Sequence, residues 1–298
     1  MSFLNDDWLP TVPLGEWFNA LVDAVNEYLS ALLTFIDWLL RVALYQNVDA
    51  ALQWVPPLVM ALVLGAVALV ASGWQLGLFT LIGLLLIQSM PTPGLWTASM
   101  ETLALVLVAS VFALLIAIPF GILAARSRVA STVIRPVLDF MQTMPAFVYL
   151  IPTLFFFGIG VTPGIVSTIV FAMPPGVRLT ELGIRQVDAE MVEAGHAFGA
   201  PSRQILTRVQ LPLAMPTIMA GVNQVIMLAL SMVVIAGLVG AGGLGGVVYS
   251  GITRLDIAKG FEGGVGVVIL AIFLDRVTAA LGQRSAVARA QSKTLAGR

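Results

Sequence analysis

The residues able to do covalent chemistry are few. Among 298 residues there are one histidine, His196, two lysines and no cysteine. Without thiols there is no disulfide scaffold and no thiolate metal site. A lone histidine outside any cluster of ligand residues reads as a surface contact, so no metal is expected. No Gly-x-x-x-x-Gly-Lys-Ser/Thr loop occurs to cradle ATP phosphates. Gly240-Ala241-Gly242-Gly243-Leu244-Gly245 does match Gly-x-Gly-x-x-Gly. That motif needs a preceding strand and a βαβ unit, however, and here an uncharged helical run precedes it. Gly240, Gly242, Gly243 and Gly245 read instead as a gate or re-entrant segment near an outer mouth, or as a flexible loop. With no cluster of catalytic side chains, an enzyme is not expected.

What remains is the chemistry of polar groups in apolar surroundings. Asn223, Gln224 and Ser231 lie in a run with no charged residue between Val209 and Thr253. Polar groups in such a run are costly in lipid and face the interior of a helix bundle. They line a path through it or act as interhelical hydrogen-bond glue. Gln224 and Ser231 stand two helical turns apart on one face. Gln142 and Thr143 beside Pro145 mark an interrupted helix in a second uncharged run, between Phe140 and Val177.

Membrane helices must position these groups. The chain is 59% apolar and 10% charged, with a mean hydropathy of +0.98; soluble domains carry about 25% charged residues. Balanced charge, 15 basic against 16 acidic residues, argues against a nucleic-acid partner. A third uncharged run lies between Ala50 and Met100. All three exceed the ~20 apolar residues of a bilayer span, and in hydrocarbon such runs must be helices. Spans are expected at about 54–72, 74–90, 101–125, 146–160, 162–176, 214–238 and 263–281. Twelve of the 15 basic residues then fall on one side: Arg126, Arg128 and Arg135; Arg178, Arg185, Arg203 and Arg208; and five from Arg276 onward. That side is expected to be the cytoplasm, with the N-terminus outside and the C-terminus inside. Arg135 and Asp139, spaced i, i+4, are expected to pair on one helix.

The start of the chain, with no basic residue and no apolar run in 1–7, is not expected to be a secretory leader. Residues 14–41 read as an amphipathic helix in the outer interface, within an extracytoplasmic segment 1–53. Residues 54–298 form the permeating unit, with a cytoplasmic loop 177–213 and a cytoplasmic tail 282–298. The loop is expected to be structured. Val187, Met191, Ala194 and Phe198 share one helix face, and Gly199-Ala200-Pro201 breaks that helix. Ile205, Leu206 and Val209 give a second helix its apolar side, and Pro212 ends it.

Within this loop, Glu193-Ala194-Gly195, three residues, Gly199, nine residues and then Val209-Gln210-Leu211-Pro212 resembles the EAA loop of ABC importer permeases. That pattern is Glu-Ala-Ala, three residues, Gly, nine residues, Ile-x-Leu-Pro. The chain departs from it at Gly195 and Val209, both close in shape to the usual residues. Residues 139–150, 171–175 and 223–236 look like the permeases for glycine betaine, proline betaine and choline. The likeness covers about 75–280, and the N-terminal 50 residues fit only loosely.

The resemblance implies an all-α integral membrane protein, a polytopic helical bundle of the type I ABC importer permease fold, in a bacterial or archaeal-type plasma membrane. It implies a homodimer, two copies of a cytoplasmic ABC ATPase holding ATP and Mg, and an extracytoplasmic substrate-binding protein. Glu193, Ala194, Gly195, His196, Gly199, Pro201, Arg203, Leu211 and Pro212 would form the loop that docks on the ATPase. Gln142, Pro145, Phe147, Tyr149, Asn223, Gln224 and Ser231 would line the path. A quaternary ammonium has no hydrogen-bond donor on its cation and is held by aromatic faces, which singles out Phe147 and Tyr149. The solute is expected to be glycine betaine, proline betaine, choline or carnitine. A methionine or phosphonate importer would keep the same architecture. An ion-coupled secondary transporter would want an intramembrane carboxylate, whereas Glu101, Glu262 and Asp275 stand towards span ends.

Overall fold

The computed structural model describes residues 12–283, and every regular element among them is a helix. The expected tail 282–298 lies almost wholly outside the described residues. In chain order the helices are α1 (Leu14–Tyr28), α2 (Ser30–Asp37), α3 (Gln46–Trp54), α4 (Pro57–Ser72), α5 (Trp74–Ser89), α6 (Leu95–Arg126) and α7 (Arg128–Thr143). There follow α8 (Leu150–Phe157), α9 (Val161–Arg185), α10 (Ala189–Ala197), α11 (Ser202–Ile205), α12 (Leu211–Ala236), α13 (Gly243–Thr253) and α14 (Ile257–Gln283).

Among the described residues four helices are long and apolar enough to cross a membrane: α6, α9, Ser202–Val239 and α14. Two bent pairs raise the number to six if each counts as one span. The expected spans 54–72 and 74–90 form a hairpin of two 16-residue helices, α4 and α5. At 1.5 Å per residue each reaches ~24 Å, short of a ~30 Å hydrocarbon core. Gly73, at φ +98°, makes the turn between them.

Residues 14–41 do not form the single helix expected. Leu14–Tyr28 and Ser30–Trp54 meet at 79°. The two halves are held in different directions. Phe18 packs edge-on against Phe155 of α8, 5.9 Å between centroids. Asp37 instead accepts hydrogen bonds from Arg41 and from Thr162 of α9. Leu40 and Tyr45 then enter the main core beside α6 and α9, so the second half of the expected outer segment is part of the bundle.

Pro145 interrupts the chain as expected, between α7 and the expected span 146–160, which forms a tight turn at Ala146–Tyr149 and then only the eight residues of α8. A residue before proline is driven to extended geometry, and Met144 sits at ψ 132°. The chain turns through 110° between Arg128–Thr143 and Ala146–Phe157. By contrast α9 runs straight through Pro174 and Pro175 to Arg185. Prolines are tolerated in membrane helices where neighbours enclose the freed carbonyls, and Gly176 lies close to Ala117 of α6 and Val225 of α12. The expected loop 177–213 therefore begins inside a helix, with Val177, Thr180, Glu181 and Ile184 buried. α9 is the centre of the molecule, sandwiched between α6 and α12. Its contact with α6 is so close that a Cβ on Gly121 would stand 2.5 Å from Thr180 Cβ.

Candidate coupling loop and translocation path

Beyond α9 the loop folds as the expected helix–turn–helix. The Asp188 carboxylate accepts from Glu190 N–H at 3.0 Å and caps α10. Its C-terminus closes with two nested backbone bonds: Gly199 N–H donates to His196 O at 2.9 Å and Ala200 N–H to Gly195 O at 3.1 Å. This pair is the Schellman geometry, which requires a left-handed residue, and Gly199 supplies φ +74°. Pro201 then caps α11. Gly195 lies over Ile205, whose Cγ1 would be 3.2 Å from an added Cβ. α10 and α11 thus close as a pair through the third position of the EAA-like motif.

Two expectations for this loop need correction. Pro212 does not end the second helix. A π-type stretch at Leu206–Gln210 lets Leu211 N–H reach back to Leu206 O, and Pro212 falls in the first turn of α12. Proline is tolerated there because the early helical N–H groups are orphans anyway. The expected four-residue face also splits: Val187 lies before the α10 cap and packs with Ile184, Leu206 and Ile218, whereas Met191, Ala194 and Phe198 face no core. α10 has no buried residue, and Phe198 is 92% exposed. Glu193, His196 and Arg203 are exposed too, so the loop presents an apolar strip amid polar groups.

The path residues separate into two groups. Asn223 joins helices: its Nδ2 donates to Asp275 Oδ1 at 2.9 Å and its Oδ1 accepts from Thr278 Oγ1, both on α14. Gln224 and Ser231 are exposed on one face of α12. Tyr149 is turned inward, its hydroxyl donating to Met141 O and its ring 5.7 Å from Phe171. Its packing against Met232 and Ala236 brings the turn after Pro145 to α12 near Ser231. Phe147, in the same turn, is half exposed, and Gln142 is exposed on α7.

The glycine segment turns the chain back between α12 and α13. Gly240, Gly242 and Gly243 all have positive φ. Gly245 lies so near Val234 that any side chain would collide with its backbone. The N-terminus of α13 is already filled from α6: Glu101 Oε2 accepts from Gly243 N–H, and Thr102 Oγ1 from Leu244 N–H, each at 2.8 Å. A phosphate would have to displace that carboxylate, which explains in physical terms why the glycine pattern is no dinucleotide site.

Sequence reasoning missed Glu181. Its side chain, 4% exposed, takes an Arg135 Nη2 bond at 2.9 Å. Ser131 Oγ donates to it at 2.7 Å, and Arg185 Nε is 2.9 Å away. Asp139 pairs with Arg178. The expected Arg135–Asp139 pair is thus replaced by two ion pairs that cross from α7 to α9. The available signal was the i, i+4 spacing of Glu181 and Arg185, hidden by ending the span at 176.

Residues 117–287 match the family model described as binding-protein-dependent transport system inner membrane component. The glycine betaine/carnitine transport permease protein GbuB of Listeria monocytogenes is 46% identical over 93% of this chain and 98% of its own. The glycine betaine/proline betaine permease protein ProW of Escherichia coli is 48% identical over 94% of this chain and 83% of its own. The glycine betaine permease protein OpuAB of Bacillus subtilis is 45% identical over 91% and 95%. Among solved structures, an inward-facing MetNI methionine ABC transporter chain superposes with a TM-score of 0.59 at 25% identity, over 65% of this chain and 98% of that one. The helical bundle with its exposed helix–turn–helix is therefore that of an ABC importer permease, and the chain belongs to the family of binding-protein-dependent transport system inner membrane components.

Proposed function

We propose that this permease subunit translocates glycine betaine or a related quaternary ammonium osmoprotectant, driven by ATP hydrolysis in a partner. The substrate class is supported by the relatives at 45–48% identity, each named for glycine betaine. The observation that carries the mechanism is α10. A nine-residue helix with no buried residue is too short to persist on its own. An exposed apolar strip on it calls for a second surface. In this reading the surface is a groove in a cytoplasmic ABC ATPase that holds ATP and Mg, one ATPase per copy of a permease homodimer. Glu193, His196 and Arg203 lie at the rim of that contact, and the segment from 186 to the start of α12 lies in the cytoplasm.

ATP binding would draw the two ATPases together, and the docked α10 helices would carry α9 and α12 with them. The opposite end, at the Gly240–Gly245 turn, would receive solute from an extracytoplasmic binding protein. Phe147 offers a ring face to a cation without hydrogen-bond donors, and Gln224 and Ser231 offer polar contacts along α12. The test is uptake of radiolabelled glycine betaine into proteoliposomes holding permease, ATPase, binding protein and internal ATP. Accumulation that requires ATP supports the reading. Indifference to betaine, proline betaine and choline removes the substrate class. Uptake that persists without ATP and collapses with an ionophore removes the mechanism.

A further inference from the structure

We propose that the Glu181 cluster is the mechanical tie that passes movement of the α9 bundle to α7 and the turn carrying Phe147. The inference rests on the reading that α10 receives the ATPase's movement.

α9 is joined to its neighbours in two different ways. Against α6 and α12 it is packed closely at Gly121, Gly176, Gly183 and Gly221, where an added Cβ would lie 2.5–3.0 Å from the Cβ of a residue on the facing helix. Such contacts leave no room for sliding. Against α7 the fit is loose. One flank of the seam holds a cavity of about 290 Å³ lined by Arg135, Asp139, Arg178, Glu181 and Arg185. The other holds an apolar cavity of about 210 Å³ whose lining includes Phe120, Val137, Met141 and Met173. Apolar packing across this seam is confined to the strip where Leu138 is buried near Ala117 and Val177.

Polar contacts do what packing does not. Glu181 binds Ser131 and Arg135, one turn apart on α7, and Arg178 reaches Asp139 one turn further on. Three successive turns of α7 are thereby fastened to α9. The same carboxylate holds Arg185, whose Nη2 donates to Ala124 O at the end of α6 at 2.8 Å. Arg185 is three residues before Asp188, the cap of α10. The charged cluster thus stands where the coupling helix joins the bundle, and it holds the helix that continues into Pro145 and Phe147. Glu181 is 4% exposed, and separating α7 from α9 would strip this buried carboxylate of both its α7 partners, Ser131 and Arg135, a costly loss in a buried site, so the tie makes α7 follow the bundle. Glu181, Arg135 and Ser131 act as positioning residues, at a distance from the solute.

The experiment uses the complete transporter in proteoliposomes, with uptake and ATP hydrolysis measured on the same preparation. Arg135→Gln cuts the tie while leaving Glu181 its Ser131 bond and its Arg185 charge; Glu181→Gln and Arg135→Lys accompany it. Spin labels at Leu115 of α6 and Val133 of α7, both exposed, report whether α7 follows the bundle. Wild type is expected to keep one narrow distance with and without trapped nucleotide. In Arg135→Gln and Glu181→Gln the distance broadens, hydrolysis continues, and uptake per ATP falls about tenfold, within the range of coupling free energies. Arg135→Lys restores most of the ratio. An unchanged ratio with an unchanged distance overturns the proposal, as does a parallel fall of hydrolysis and uptake without broadening, which would mark a purely structural role. Absence of betaine uptake by wild type would count against the substrate reading instead. The label distances need no solute and still decide this inference.

Discussion

Gly199 is where backbone geometry and transport are most directly linked. It sits at φ +74° with nothing within 4 Å of where a Cβ would be. A substitution there meets no steric obstacle, so its whole cost is conformational. An alanine forced into the left-handed region loses about 1–2 kcal/mol, and a β-branched valine more, up to ~3 kcal/mol. Asparagine tolerates this region and should lose only a few tenths of a kcal/mol. At 1.4 kcal/mol per decade, alanine lowers the equilibrium constant for the native turn about five- to thirtyfold relative to glycine.

Because no residue of α10 is itself buried, this strain should stay local. The permease should melt at the wild-type temperature in all three variants. Hydrogen exchange at Gly199 and Ala200 should instead accelerate in the order Gly, Asn, Ala, Val, since those two N–H groups close the turn. ATP-driven uptake should fall in the same order. Equal uptake by Gly199→Val and wild type would refute the argument. So would an asparagine variant as poor as valine, because that result would mean room for the partner surface, not backbone conformation, decides the position.

Other perturbations separate the remaining roles. Phe198→Ser, at a residue 92% exposed, should leave the melting temperature unchanged but cut recovery of the copurifying ATPase, by about thirtyfold in affinity if Phe198 is an anchor worth ~2 kcal/mol. Asn223→Leu removes both bonds from α12 to α14 and should cost ~1 kcal/mol, typical of membrane interhelical hydrogen bonds, seen as a lower melting temperature in detergent. Gly121→Ala places a Cβ 2.5 Å from Thr180 Cβ and 2.7 Å from Val177 O; it should destabilise by about 1–3 kcal/mol, measured by heat-induced aggregation on gel filtration. Glu101→Ala strips one acceptor from the N-terminus of α13 at a cost of ~1 kcal/mol, and should speed hydrogen exchange at Gly243 while sparing Leu244, whose acceptor is Thr102.

The parts of this architecture that were legible in the sequence are those fixed by local chemistry. Gly199 and Pro201 bound α10 because one supplies a left-handed stop and the other a preset start, and both depend on neighbours a few residues away. Pro145 breaks its helix for an equally local reason. Pro174 and Pro175 do not: both are buried in a helix packed between α6 and α12, and no window of sequence contains those helices. Ending the span at 176 placed Glu181 in a loop, where a carboxylate needs no explanation. Arg135 and Asp139 fail in the same way: their i, i+4 spacing is a real local pairing opportunity, outcompeted by two partners some forty residues downstream.

The α10 stripe shows what periodicity can and cannot mean. Spacing puts Val187, Met191, Ala194 and Phe198 on one face; the structure leaves Val187 before the α10 cap, against the core, and Met191, Ala194 and Phe198 exposed. Spacing carries no sign for what covers that face, since a core and a partner impose the same apolar repeat. The sign comes from the burial of each position. Phe198 is 92% exposed and α10 has no buried residue, while Gly195, beside the stripe on the helix surface, is the position that meets Ile205, whose Cγ1 would be 3.2 Å from an added Cβ. A glycine in the middle of a nine-residue helix costs helix stability of about 1 kcal/mol, offset here by the close approach of α10 to α11. The residue that departs from the motif's usual alanine is therefore the one that sets the spacing of the two helices, and Gly195→Ala should shift α10 against Ile205 by a few tenths of an ångström before it alters any contact on the exposed strip.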